Sequence, residues 1–433
     1  MFAHGVGSRG DLPLPLWIFT WAAAIILVIS FVALGVLWTK PRLADASTGR
    51  PIPFGGTGSS IAGGVVRVAG LVLFVVALWA GLFGLDDTAD NLLPVIFYVQ
   101  VWVGIQILSG IFGDVWRILS PINTLALAAE WLADKAGRSP TSQPPDLQQW
   151  PAAAGIMVFL FYELAHPSGS SPRTLAQMLL VHLAISMVLA LRWGADWVAE
   201  NEPFAVLFRL IAAMAPVYWN DGRPRLRAPM SGLSVMSVSN GTLATLLVVL
   251  GGTTFDGFSE SEIGRSMLGV DGGWGGAATL TVGLLVSITL ISALYAIGVV
   301  WISLVTNMLP MKAAKIYAPS LVPIVLGYAL AHYIQLLVDE TQTFWFRLSD
   351  PGGLGWDLFG AADGKIDFSL ISVDLIAWLQ VLAILVGHVG AVVVAHDRDL
   401  ESFPAGESLR SQFAMLLVMV AYSSLGLWLL LNA

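Results

Sequence analysis

The chain has 433 residues, of which 56% are hydrophobic and 12% are charged, and its formal net charge is −8. An ordinary soluble domain is about one quarter charged, so this composition argues against a soluble protein. The absence of Cys excludes disulfides, thiolate metal sites and a cysteine nucleophile, and the absence of Lys/Arg-rich tracts argues against nucleic acid as a partner.

Apolar runs of about 20 residues recur along the whole chain, which is typical of helices that cross a lipid bilayer. Ten such spans are predicted, at residues 14–40, 60–85, 92–118, 150–167, 173–194, 234–252, 276–307, 317–340, 370–397 and 410–432. The sequence therefore predicts an all-α fold, a polytopic transmembrane helical bundle, in which residues 1–433 form a single integral membrane domain.

The Lys and Arg residues predict how the spans are oriented. Most of them flank the loops after the first, third, fifth, seventh and ninth spans, whereas the other side has Arg9, Arg173, Arg265, Arg347 and Lys365. Because cytoplasmic loops are enriched in positive charge, the first set of loops is predicted to be cytoplasmic. Both termini are then outside.

Several connections between spans have recognisable patterns. Ile122 to Ala136 and Asp196 to Ala215 show helical spacing of apolar residues, and each is expected to form a helix on the cytoplasmic face. Asp221 to Arg227 is a basic turn that fits anionic lipid headgroups. At the end of the third span, Asp114 and Arg117 are expected to form a local salt bridge.

One predicted span has a polar stripe on an otherwise apolar helix. Tyr328, His332, Gln335 and Asp339 recur at i, i+4, i+7 and i+11, which places all four on one helical face. Ionisable side chains are costly in the hydrocarbon core and rarely face lipid. The stripe is therefore expected to face protein or water.

Four of the six histidines are predicted to lie in the outer half of the membrane or just above it, together with carboxylates. The candidate metal ligands are His166, His182, His332 and His4, and the candidate catalytic carboxylates are Glu163, Asp256 and Asp339. Imidazole and carboxylate together suit Zn²⁺, Mn²⁺ or Fe²⁺, and such an ion can activate water. Glu163 and His166 form Glu-x-x-His, which is expected to place both on one helical face. Alternatively, each histidine only joins two helices through a hydrogen bond.

Several motifs carry a resemblance to a known family. They are HGVGSRGDLPLP at the start of the chain, FGDVWRILSP, ELAHPSGSSPRTLA, TTFDG, ALAHY and GHVGAVVVAHDRDL, and together they span most of its length. In these motifs the chain resembles the actinobacterial multi-pass membrane proteins known as fenitrothion hydrolase-like. The resemblance implies a membrane enzyme that hydrolyses phosphotriesters, and it assigns no catalytic roles to particular residues.

The sequence leaves three functional hypotheses. The first is a metal-dependent hydrolase with an outer-leaflet site for a lipophilic, organophosphate-like ester. The second is an ion-coupled transporter or channel in which His388 and the Tyr328 stripe line a path, and continuous polar residues from Asp339 inward to His388 would favour it. The third is a structural subunit of a membrane complex, whose protein partners the sequence does not identify.

Overall fold

The computed structural model describes residues 16–53, 57–137, 143–220, 223–269, 272–403 and 405–430, and these are mostly helical. The helices in chain order are α1 (Leu16–Leu37), α2 (Leu43–Ala46), α3 (Thr57–Phe83), α4 (Leu92–Pro94), a π-helix (Val95–Gly104), α5 (Ile105–Phe112), α6 (Trp116–Leu119), α7 (Pro121–Lys135), α8 (Trp150–Leu164), α9 (Pro172–Trp193), α10 (Ala195–Asn201), α11 (Pro203–Ala212), α12 (Ser231–Ser234), α13 (Asn240–Glu260), α14 (Glu262–Leu268), α15 (Trp274–Thr306), α16 (Pro310–Tyr317), a 3₁₀ turn (Ala318–Ser320), α17 (Leu321–Ser349), α18 (Val373–Ser402) and α19 (Ala405–Leu430). Three short strands are β1 (Arg50–Pro51), β2 (Val217–Asn220) and β3 (Arg223–Leu226).

Seven helical segments of the described chain are long and apolar enough to cross a membrane. They are Ala62–Phe83, Leu92–Phe112, Pro172–Trp193, Asn240–Glu260, Trp274–Thr306, Pro310–Ser349 and Val373–Ser402. Shorter apolar helices are Trp21–Leu37, Trp150–Leu164, Pro203–Ala212 and Met415–Gly426. The structure therefore supports an all-α, multi-pass membrane protein, whereas the number of ten spans and the outward position of the termini stay predictions.

The third predicted span ends earlier than its apolar pattern indicates. Its last helix stops at Phe112 because Gly113 has a φ of 83°, a left-handed conformation that ends a helix. The salt bridge predicted just after this point, between Asp114 and Arg117, does not form. The Asp114 carboxylate accepts a hydrogen bond from the backbone N–H of Arg117 at 3.1 Å instead.

The sixth and eighth predicted spans extend further along the chain than expected. The Ser239 hydroxyl caps α13, which therefore begins later than predicted and runs on to Glu260. Helix α17 continues past residue 340 to Ser349. Residues that the sequence assigned to outer loops are thus helical, and Asp256 lies inside a helix rather than after one.

The two predicted sets of loops gather at opposite ends of the helix bundle. At one end, which we call the sheet end, β3 pairs antiparallel with β1 and β2 in the order β1-β3-β2, so residues 223–226 of the predicted basic turn form a strand. At the opposite end, Thr88 donates a hydrogen bond to the Ser170 carbonyl, and Arg347 forms an ion pair with Asp90. This separation is what spans of alternating direction require.

Helices α17 and α18 cross with their backbones in close contact. A Cβ added at Gly327 would lie 2.6 Å from the Ala383 carbonyl oxygen, and one added at Gly387 would lie 2.6 Å from the Pro323 carbonyl oxygen. Glycine at both positions is what allows this approach. The crossing fixes which face of α17 points into the bundle, and His332 lies on that helix just beyond it.

The third span is distorted where it packs against α17. Val95–Gly104 form a π-helix, a geometry that is frequent at functional sites. Within it, Gln100 Nε2 donates a hydrogen bond to Thr341 Oγ1 of α17 at 3.1 Å. The same segment buries Trp102, which is 1% exposed.

Candidate functional site

The structure brings Asp256, His332 and Tyr333 together inside the bundle. Asp256 Oδ2 accepts a hydrogen bond from the Tyr333 hydroxyl at 2.6 Å and lies 2.9 Å from His332 Nε2. The side chains of His332 and Asp256 are 4% and 5% exposed. Two of the predicted site residues are therefore direct partners, and they meet because α13 continues through the predicted end of its span.

Glu163 joins this group from the last turn of α8. Its Oε2 atom is buried and has no hydrogen-bond partner among the described residues. It lies close enough to Asp256 for the charges of the two carboxyl groups to interact. We call Glu163, Asp256, His332 and Tyr333 the buried carboxyl centre. Ionisable groups placed inside membrane helices typically serve ion or proton pathways.

A row of buried polar groups continues from this centre toward the sheet end. The Tyr328 ring lies 6.0 Å from that of His332, and its hydroxyl has no hydrogen-bond partner in the described part of the chain. The Tyr422 hydroxyl lies 2.9 Å from Thr254 Oγ1, and the Tyr422 ring lies 5.9 Å from that of His388. His388 Nε2 is also buried without a described partner. Polar groups thus extend from the carboxyl centre to the middle of α18.

A lateral groove lies on the other side of α8. It runs between α8 and α9, has a volume of about 650 Å³ and is lined mainly by apolar side chains. His182 of α9 and Glu202 provide its ionisable pair, with His182 Nε2 3.2 Å from Glu202 Oε1. The His182 side chain is 29% exposed and that of Glu202 is 3% exposed. The imidazole therefore faces the groove, and the carboxylate lies behind it.

Glu202 is absent from the sequence-predicted site. It stands between α10 and α11, where Oε2 accepts a hydrogen bond from the backbone N–H of Ala205 at 2.6 Å. The indole N–H of Trp116 donates to the same oxygen at 3.4 Å. The sequence signal at this position is an acidic residue before Pro203, which is typical of a helix start. That pattern explains the cap and gives no indication of the histidine partner.

An aromatic layer separates the groove from the buried carboxyl centre. Phe97 and Phe159 line the groove, and the Trp102 ring packs against Phe159 with their centroids 4.6 Å apart. Trp102 Nε1 is buried with no acceptor among the described residues, although it lies close to the Tyr333 hydroxyl. Helix α8 therefore has one side on the groove and carries Glu163 to the centre on the other.

His166 does not share a helical face with Glu163, so this prediction is wrong. Helix α8 ends at Leu164, and the His166 ring instead stacks on Tyr162 with centroids 4.8 Å apart. His166 Nδ1 accepts a hydrogen bond from the backbone N–H of Ser168 at 3.1 Å. Burial lowers the pKa of the imidazole. His166 lines the outer part of the groove, away from the carboxyl centre.

The remaining predicted residues do not add to either site. Asp339 lies within α17 rather than at its end, one helical turn after Gln335. His4 lies outside the described residues. Among the residues that are described, no three His, Asp or Glu side chains are grouped so that they could hold a metal ion. The divalent metal therefore stays a prediction.

No family model, curated protein or solved structure matches the chain. The resemblance to fenitrothion hydrolase-like proteins therefore stays a prediction. The described part of the chain offers two candidate sites that share α8, namely the buried carboxyl centre and the lateral groove.

Proposed function

We propose that the protein is a proton-coupled transporter of a lipophilic small molecule in the bacterial cytoplasmic membrane. The observation that carries this proposal is the position of α8 between the two sites. One side of the helix lines the lateral groove, and its last turn brings the Glu163 carboxyl within range of charge interaction with Asp256. A change in proton occupancy on one side of α8 can therefore alter the groove on the other.

The buried carboxyl centre is the proton site of this proposal. Asp, Glu and His side chains inside membrane helices form the proton relays of pumps and transporters. The Tyr328 hydroxyl and His388 Nε2 each keep a hydrogen-bonding position that no described residue uses. A proton that leaves the centre can therefore pass to further hydrogen-bonding groups that lie toward the sheet end. A row of polar groups that continues toward the sheet end favours a transporter over an enzyme whose site is closed at that end.

The lateral groove is the substrate site. Its volume of about 650 Å³ falls within the range of about 300–1,000 Å³ that is usual for small-molecule sites. Val158 and Val181 line it and are largely exposed, as residues that border lipid would be. A lipophilic molecule concentrates in the bilayer and can enter from the side, where His182 can hydrogen-bond its polar end.

Close packing near the middle of α8 gives the coupling a physical basis. An added Cβ at Gly155 would lie 2.1 Å from Pro203 Cγ, and one at Gly252 of α13 would lie 2.4 Å from Leu160 Cδ1. The turn that carries Glu163 lies beyond both contacts. Because repulsion between two buried carboxylates disappears when one is protonated, protonation can tilt this end of α8 against the fixed middle.

Proteoliposomes that contain a pH-sensitive dye test the coupling, with fenitrothion as the lipophilic probe under an imposed proton gradient. We expect proton movement that depends on the probe, and a reduction of about tenfold or more in Glu163→Gln, which removes a proton site and keeps the side-chain volume. Asp339→Asn is the matched control and should keep its rate within about twofold. Equal rates in the two variants, or no probe-dependent proton movement in the wild type, would overturn the proposal.

A hydrolase of lipophilic esters is the second candidate, and the His182–Glu202 pair inside the groove favours it. A carboxylate that orients an imidazole is the usual arrangement of a general base. His182 would take a proton from water, the water oxygen would bond to the ester phosphorus, and the leaving alcohol would depart with the returned proton. The same vesicles test this, because hydrolysis of fenitrothion releases a coloured nitrophenol. Release that is lost in His182→Gln and kept in Glu163→Gln would assign hydrolysis to the groove.

A further inference from the structure

A second cavity lies at the sheet end, on the other side of Glu202 from the lateral groove. Its volume is about 340 Å³. Three arginines line it from three separate segments: Arg67 of α3, Arg117 of α6 and Arg209 of α11. We call this space the arginine cavity. The three arginines belong neither to the carboxyl centre nor to the groove, so the cavity is a separate site.

The three guanidinium groups keep unused hydrogen-bond donors. Arg67 belongs to an apolar helix that is long enough to cross a membrane, and its Nη1 atom is buried with no partner among the described residues. Arg209 Nη2 donates only a long hydrogen bond, 3.3 Å, to the Glu200 carbonyl. Among the described residues, none of the three forms an ion pair with a carboxylate. An arginine inside a membrane span is costly unless it is paired, so this arrangement indicates a ligand.

Four carboxylates also line the cavity, and among the described residues none of them forms an ion pair with the arginines. Glu202 already accepts hydrogen bonds from a backbone amide and an indole, and Asp114 accepts one from the Arg117 amide. Burial raises the pKa of Asp114, whereas the nearby charges of Arg209 and Arg117 lower it, so this carboxylate interacts with two of the arginines without forming an ion pair. Asp196 and Glu200 are exposed at the rim. The buried Nη1 donor of Arg67 thus remains available to a ligand in this cavity.

We propose that the arginine cavity binds the phosphate group of a ligand. Guanidinium groups match phosphate oxygens in planar, two-point hydrogen bonds, and three of them from separate segments can contact three oxygens at once. The volume of about 340 Å³ lies at the lower end of the range of about 300–1,000 Å³ for small-molecule sites, which suits a phosphate with a small substituent. The phosphate can belong to a lipid headgroup at the membrane surface or to a soluble ion. The proposal is independent of proton coupling and of the groove.

Binding measurements on the purified full-length protein in a neutral detergent test this site. The probes are inorganic phosphate, glycerol phosphate and dihexanoyl phosphatidylglycerol, measured by titration calorimetry. We expect Arg67→Gln to weaken the binding of at least one probe by about tenfold or more, while Arg192→Gln, an exposed arginine at the sheet end outside the cavity, stays within about twofold of wild type. If Arg67→Gln does not yield folded protein, the double variant Arg117→Gln/Arg209→Gln replaces it, since both side chains are exposed.

The outcomes distinguish the two sources of phosphate. Cavity-dependent binding of the phosphatidylglycerol that glycerol phosphate does not displace would assign a lipid headgroup, and cavity-dependent binding of inorganic phosphate or glycerol phosphate would assign a soluble ligand. Binding that is equally strong in the cavity variant and in Arg192→Gln would show nonspecific attraction and overturn the proposal. The absence of binding by all three probes in the wild type would overturn it as well.

Discussion

The described part of the chain contains two imidazole–carboxylate pairs of similar geometry in different surroundings. His332 lies 2.9 Å from Asp256, and His182 lies 3.2 Å from Glu202. Both carboxylates are almost fully buried, but the His332 side chain is 4% exposed, whereas that of His182 is 29% exposed. The first pair can therefore exchange protons only with protein groups, and the second can contact a molecule in the groove. The proposed function therefore gives the two imidazole–carboxylate pairs different roles, because one is buried and the other faces the groove.

The partners of the two carboxylates sharpen this contrast. Asp256 also accepts a hydrogen bond from the buried Tyr333 hydroxyl and lies near the charge of Glu163. Glu202 is fixed by the first turn of α11, where it accepts the Ala205 amide. One carboxylate thus belongs to a polar network in the interior, and the other belongs to a helix cap that also holds a histidine. Substitutions should separate the network from the cap by the size of their effect.

The largest effect is expected from Asp256→Ala. The substitution removes the shared acceptor of Tyr333 and His332 in a site that water does not easily reach, so we expect the free energy of unfolding to fall by about 3 kcal/mol. Asp256→Asn keeps an oxygen for the Tyr333 hydroxyl and should lose about 1 kcal/mol. Denaturation in one detergent, followed by tryptophan fluorescence, measures both. Equal stability of wild type and Asp256→Ala would mean that this network does not stabilise the fold.

An intermediate effect is expected from Glu202→Ala. It removes the cap of α11 and the partner of His182, but water or a molecule in the groove can replace the lost contact on the partly exposed imidazole. We therefore expect a loss of about 1–2 kcal/mol, with most of it recovered in Glu202→Gln, whose side-chain oxygen can still accept the Ala205 amide. The same denaturation experiment applies. A loss as large as that of Asp256→Ala would contradict the distinction between network and cap.

The sequence predicts the helical membrane class because long apolar runs need no knowledge of tertiary contacts. It also names Glu163, Asp256 and His332, since ionisable residues stand out in apolar segments. It does not predict Glu202 as the partner of His182, because an acidic residue before a proline is explained by local capping alone. The sequence also does not identify Arg67 as a binding residue, because a single arginine near the end of a span has the pattern of an interfacial anchor. Pairings between distant helices depend on packing, which the spacing along the chain does not encode.

The smallest effect on stability, with a large effect on binding, is expected from Val158→Trp. Val158 lines the groove and is 52% exposed, so the larger side chain can enter the groove without disturbing the core. We expect the free energy of unfolding to change by no more than about 0.5 kcal/mol. Binding of fenitrothion, measured by equilibrium dialysis against empty micelles, should weaken by about fivefold or more because the groove loses volume.

Val188→Trp provides the matched control for this prediction. Val188 is 63% exposed and lies on α9, but it does not line the groove. A tryptophan there adds the same apolar surface to the lipid-facing side and should leave the binding of fenitrothion within about twofold of wild type. If both variants bind as wild type does, the molecule is not held between α8 and α9. The groove would then be a lipid-filled gap, and only the buried pair would retain a functional assignment.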